Sequence, residues 1–180
     1  MCLRDRIAAL IGGLSPVDAQ EAADQQRALD WIASGAPLFR TRAPATPPMH
    51  LVSYFPVLDG AHILLVDHRK AGLWLPPGGH VDPKEHPADT VARECIEELG
   101  MPAQFLQPAP QFLTITRTRS EPGGHWDVSL WYTLQGDRHA VLNHDTGEFH
   151  GIRWFAVDQA PRDRVEPNLH RFLRKQGLIV

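Results

Sequence analysis

The stretch GGHVDPKEHPADTVARECIEELGM, Gly78 to Met101, decides how this chain is read. His86-Pro87 suits a helix start, because proline's fixed φ and missing N–H fit the first turn. Gly100 suits the helix end, and Pro102 cannot continue it. The spacing therefore predicts a helix over Pro87–Leu99. Ala88, Val91, Ala92, Cys95 and Leu99 form a 3.6-residue apolar stripe that should bury. At about 100° per residue, Glu94, Glu97 and Glu98 form a second stripe beside it, with Glu98 nearest the buried edge. Carboxylates three and four residues apart repel one another, and Arg93 relieves part of this through Glu97 at i+4. Two readings stand at this point. One is a solvated acidic face. The other is a divalent-cation site, since hard cations take oxygen ligands. The Gly78-Gly79 pair just upstream allows close approach of backbone to a ligand or metal.

Working outward, residues 3–11 and roughly 17–34 read as helices, the second with Ala22, Leu29, Ile32 and Ala33 near one face. The segment GAPLFRTRAPATPP, 35–48, then breaks helical structure with four prolines. We expect residues 1–45 to form a helical extension and linker, and 46–180 the main domain. LVSYFPVL and HILLVDH are β-prone runs, and Asp59-Gly60 between them signals a hairpin turn. Further strands are expected at 111–119, 127–134 and 151–156, and a last helix at about 167–176. Strands before, between and after helices imply a mixed α/β sandwich.

The composition excludes several classes. With 180 residues, 43% hydrophobic and 22% charged, the chain has globular rather than disordered values. A net charge of -3 provides no basic field for nucleic acid. No apolar run approaches the roughly 20 residues of a membrane span. The N-terminus reads as an amphipathic helix rather than a signal peptide. Two cysteines, Cys2 and Cys95, make no disulfide framework, so a cytoplasmic location is expected. The ten histidines do not suggest zinc, because no His-x-x-x-His pair lies on a predicted helix. Cys95 belongs to the buried face, which argues against a nucleophile.

From Gly79 the sequence runs Gly, five residues, Glu85, seven residues, then Arg93-Glu94-Cys95-Ile96-Glu97-Glu98-Leu99-Gly100-Met101. This resembles the complete Nudix box, Gly-x5-Glu-x7-Arg-Glu-U-x-Glu-Glu-x-Gly-U, where U is bulky and apolar. Every charged and glycine position matches; Cys95 is small for the first U. Trp74-x-x-Pro77 is similar to the family's lead-in, and the strand order over roughly 48–160 is also similar. The first 45 or so residues are not explained by it.

The resemblance implies a Nudix-type α/β/α sandwich with a mixed sheet. It also implies hydrolysis of a nucleoside diphosphate linked to another moiety, with Mg²⁺, or Mn²⁺ as a substitute. Carried over by position, Glu97 and Glu98 are the main metal ligands, and Glu94 is a further ligand or the general base. The Gly78 carbonyl approaches the metal. Arg93 orients the glutamates, with Glu85 and Gly79 supporting. Relatives often draw a carboxylate from a late loop, which points to Glu148, six residues before Trp154. That acid is either the base or a solvated loop residue. Arg69 and Lys70 either meet phosphate or form a charged loop. Arg117 and Arg119 share one strand face, which either lines the pocket or meets solvent. His80 is a polar group of the site or a surface histidine. Trp126, Trp131 and Tyr132 offer base stacking, with at least one expected in the core.

The box fixes diphosphate chemistry, and loops choose the substrate. A short chain with modest loops leans towards nucleoside triphosphates or small nucleotide sugars. The rival reading is a non-catalytic module that senses a nucleotide. Retention of every box glutamate favours the enzyme. The N-terminal helices are expected to serve partner contacts, cover the site or build a homodimer.

Overall fold

The computed structural model describes residues 1–43, 46–118 and 124–180. Helices α1 (Leu3–Gly12) and α2 (Ala19–Ala33) come first. Strands β1 (Met49–Tyr54), β2 (Val57–Asp59), β3 (His62–His68), β4 (Leu73–Leu75) and β5 (Gly78–His80) precede helix α3 (Pro87–Leu99). Then follow β6 (Phe112–Arg117), β7 (Trp126–Trp131), β8 (Leu134–Gln135), β9 (Phe149–Ala156) and helix α4 (Leu169–Lys175). One mixed sheet has the order β5-β1-β7-β6, with β1 and β7 parallel. The other has the order β4-β3-β2-β8, with β9 antiparallel along β3. The expected mixed α/β sandwich is observed, its strands shared between two sheets.

Strand alternation builds the layers, because successive side chains point to opposite faces. Leu64 and Val66 of β3, Leu113 and Ile115 of β6, and Val128 and Leu130 of β7 join one core with Val91, Cys95 and Leu99 of α3. Ile63 and Leu65 of β3, Phe112 of β6 and Trp131 of β7 join the other core with Leu169, Phe172 and Leu173 of α4. Ile7, Ile11, Ala28 and Ile32 of α1 and α2 belong to the first core, continuous with the sheet.

Three local outcomes depart from the sequence reading. The run LVSYFPVL is two strands, because Pro56 has no N–H to donate to a ladder. Gly78–His80, where the sequence predicts no strand, is strand β5, antiparallel to β1. A Cβ on Gly78 would stand 2.5 Å from the Ser53 carbonyl oxygen and 2.7 Å from the Tyr54 ring, so only glycine permits this approach. In α2 the buried stripe is Glu21, Asp24, Ala28 and Ile32, while Ala22 and Ala33 are exposed. The helix is rotated because its acids cap the backbone of β6: Leu113 and Ile115 N–H groups donate to Glu21 and Asp24.

Candidate active site

Helix α3 is held at both ends. The His86 side chain accepts from Ala88 N–H at 3.2 Å, Pro87 occupies the first turn, and Gly100 closes the helix at φ 65°. Ser53 Oγ–H donates to the Pro87 carbonyl at 2.9 Å, which fastens the helix start to β1. Since β5 pairs with β1, Gly78 and Gly79 lie against the acidic face of the helix. Gly78 N–H donates to Glu98 Oε2 at 3.1 Å. A Cβ on Gly79 would land on the Glu94 carboxylate, so this position needs glycine.

Arg93 sits among the acids. Its guanidinium forks onto Glu85 with two 3.0 Å bonds and reaches Glu94 at 2.8 Å and Glu97 at 3.2 Å. Burial pushes Glu85 up, but bonds from Arg93, Thr90 and the Asp82 N–H outweigh it and hold its carboxyl below the usual range. Exposure rises across the cluster: Glu98 is buried, while the side chain of Glu94 is 15% exposed and that of Glu97 58%. Burial raises the Glu98 carboxyl well above its ordinary value, and the charges of Glu94 and Glu148 add to this. Burial also raises Glu94, although Arg93 pulls it back.

Glu94 and Glu98 face a cavity of about 510 Å³, whose wall also includes Gly78, Gly79, His80 and Glu148; Glu97, expected as a main ligand, is not on that wall. Glu148 approaches from the start of β9 and is 44% exposed; its Oε1 is 3.3 Å from His68 Nε2. The His68 hydrogen bond lowers the Glu148 carboxyl, outweighing its partial burial. A divalent cation fits this donor set. The oxygens are hard, the glycines leave room beside them, and positive charge would offset the repulsion that raises Glu94 and Glu98.

Other expected site residues are placed differently. Arg69 does not line the cavity. Its side chain donates to the carbonyls of Thr146 and Phe149, so it braces the loop that carries Glu148. Lys70, its neighbour, is on the cavity wall. Arg117 is exposed at the end of β6 and away from that wall, and Arg119 lies outside the described residues. Trp131 and Tyr132 are fully buried in the cores rather than available to a base. Trp126 is covered by the Arg27 guanidinium, 4.2 Å above its ring. Cys95 is buried, which pushes its thiol up to about 12 and leaves it inert at neutral pH. Arg40, His125 and Asp127 also line the cavity, and the sequence reading left them unassigned. The signal for the last two was His-x-Asp at strand spacing, which puts both side chains on one face.

The chain matches the family model described as NUDIX domain over residues 49–176. Two strains of Mycobacterium tuberculosis hold a protein named "Putative 8-oxo-dGTP diphosphatase 3", 29% identical over 107 residues, or 56% of this chain and 48% of that protein. The chain thus spans about half the length of the curated relatives it matches. The MutT protein of Methanosarcina mazei Go1 is similar in fold, with TM-score 0.56 and 20% identity over 72% of this chain and 96% of that one. A MutT Nudix hydrolase of Burkholderia pseudomallei gives TM-score 0.55 and 22% identity, covering 71% and 97%. With the box helix, its glycine strand and the family match in agreement, this chain belongs to the Nudix family.

Proposed function

We propose that the chain hydrolyses a phosphoanhydride bond in a nucleoside diphosphate derivative, with Mg²⁺, or Mn²⁺ in its place, held by Glu94, Glu97, Glu98 and the Gly78 carbonyl. The observation that carries this reading is the convergence of Glu94, Glu98 and Glu148 on one cavity beside a glycine strand. When bound, the cation supplies neutralising charge at the phosphate oxygens and lowers the pKa of water. The protein's own part is positioning and proton transfer. Arg93 restrains Glu94 and Glu97 by direct bonds, and Glu85 anchors Arg93. Lys70 and Arg40 bring positive charge to the cavity wall for the substrate's phosphates. Glu148, ionised at neutral pH, takes the proton of the attacking water as the new P–O bond forms and the bridging P–O bond breaks.

Nucleoside triphosphates and small nucleotide sugars are the substrate classes we propose, from the modest loops of the sequence, and the name of the mycobacterial relatives adds 8-oxo-dGTP to the first panel. A product-resolved screen of such nucleotides with Mg²⁺, with and without EDTA, tests the reading. We expect a nucleoside monophosphate and its partner product, abolished by the chelator and restored by Mg²⁺ or Mn²⁺. Full turnover by metal-free protein, or binding without cleavage across the panel, would overturn it.

A further inference from the structure

We propose that His50, His80, His125 and Asp127 form a second metal site, which takes a nitrogen-preferring ion, Zn²⁺, separately from the glutamate cluster. The inference does not depend on the proposed hydrolysis. The four side chains come from neighbouring strands. His50 on β1 pairs with Asp127 on β7, His80 on β5 pairs with Val52 two residues further along β1, and His125 directly precedes β7. Each offers one ligand atom, and these atoms all lie within 4.8 Å of one another.

Two of the spacings match the edges of a zinc tetrahedron, and the rest lie within 4.8 Å. Asp127 Oδ1 is 3.4 Å from His50 Nε2 and 3.2 Å from His125 Nε2. Bonds of about 2.0–2.1 Å to zinc give tetrahedral edges of about 3.3 Å. The rings are also oriented from behind. His50 Nδ1 faces the Pro47 carbonyl at 2.9 Å, and a carbonyl only accepts, so the proton sits on Nδ1. His125 Nδ1 is likewise engaged by Thr118 Oγ1 at 3.0 Å. Partners of this kind set the tautomer and direction of metal-binding imidazoles.

What faces inward is then unsatisfied. His50 is fully buried, and among the described residues its Nε2 makes no hydrogen bond; nor do the buried atoms His80 Nε2 and Asp127 Oδ1 of two partly buried residues. The 3.4 Å approach of His50 to Asp127 is within ion-pair distance but lacks hydrogen-bond geometry. A neutral His50 presents a lone pair to a carboxylate oxygen, which is repulsive unless a cation lies between them. Protonating all three rings is a poor substitute. His50 stacks on His125 at 4.8 Å and lies 4.9 Å from His80, so the charges would crowd one another. An anion is disfavoured by the Asp127 carboxylate. Three imidazoles and one carboxylate suit zinc better than magnesium. Four protein ligands make a closed, structural site, which would pin β5, the strand of Gly78 and Gly79, to β1 and β7.

The test is metal analysis of the whole protein purified without chelator, followed by Zn²⁺ titration of the stripped protein. We expect about one equivalent of Zn²⁺ per chain, retained in Glu98→Gln. His125→Ala should weaken Zn²⁺ binding by more than about 100-fold, beyond the effect of losing an outer-shell partner. Circular dichroism reports whether that variant folds. If it does not, the visible spectrum of Co²⁺-loaded wild type decides: intense tetrahedral bands support the site, and weak octahedral bands overturn it. Absence of zinc binding by wild type, or zinc lost in Glu98→Gln and kept in a folded His125→Ala, would also overturn it.

Discussion

Helices α2 and α3 both carry acids at helical spacing and both bury some of them; burial raises Asp24 as it raises Glu94 and Glu98, but the two sets differ in the partners that meet them. In α2 the acids are met by donors. Glu21 accepts from Leu113 N–H, Val17 N–H and Lys175 Nζ; Asp24 accepts from Ile115 N–H and the Gln20 amide. Strand β6 is the edge of its sheet, and α2 lays these carboxylates against it, so donors that would otherwise be open are paired. In α3, Glu94 and Glu98 face a cavity, Glu98 accepts from the Gly78 N–H and Glu94 from Arg93, yet burial and the charges of neighbouring carboxylates raise both carboxyls. A buried acid surrounded by its own donors belongs to the fold. A buried acid that repels its neighbours across a cavity is disposed to hold a cation.

The largest expected effect follows from that contrast. Glu98→Gln keeps the shape and removes the charge, so turnover should fall about 10⁴-fold, near 5 kcal/mol. The melting temperature should hold or rise, because a repelling buried charge is gone. A variant with wild-type turnover would place Glu98 with the acids of α2.

Glu148→Gln sharpens the comparison from across the cavity. We expect kcat to fall about 10³-fold with KM within about threefold, because a base matters in the transition state and little in binding. An unchanged kcat would return the base role to Glu94.

Glu21→Ala should reverse the pattern. It strands the Lys175 ammonium and the Leu113 N–H, and should destabilise by about 3–5 kcal/mol with turnover per folded molecule retained. Chemical denaturation checks the first part and specific activity the second.

Glu166 gives a smaller effect and a third environment. It is 3% exposed, and burial pushes its carboxyl up to about 7 despite bonds from Asn168. The folded state therefore binds the extra proton between the ordinary value of 4.5 and about 7. Stability from this group should decline as pH rises through that window, by about 3 kcal/mol, and level off above it. Thermal melts of wild type against Glu166→Gln from pH 4 to 8 should show the variant flatter. An equal slope in both would contradict the assignment.

These contrasts were unevenly visible in the sequence. Helix α3 was legible to the residue because its cap, its proline, its terminal glycine and its apolar stripe agree. Strand β5 was not, because Gly78 and Gly79 carry no side-chain periodicity and gain strand geometry only from close approach to β1. The buried face of α2 was misplaced because hydrophobic counting treats Glu21 and Asp24 as polar, whereas β6 makes them welcome inside. For Arg69 the sequence leaves phosphate contact and a charged loop both open, because its partners, Thr146 and Phe149, lie far along the chain. The histidine cluster failed the helical-spacing rule because its members come from adjacent strands, where pairing register rather than sequence spacing brings ligands together.

The central claim, that the acids of α3 and not those of α2 hold the catalytic cation, is most directly tested by Mn²⁺ binding followed by electron paramagnetic resonance, with one equivalent of Zn²⁺ present to fill the histidine cluster. Wild type and a folded Glu21→Gln should bind Mn²⁺ alike, while Glu98→Gln should lose affinity by more than about 100-fold, nearly 3 kcal/mol. Mn²⁺ binding by Glu98→Gln at wild-type strength would contradict the account.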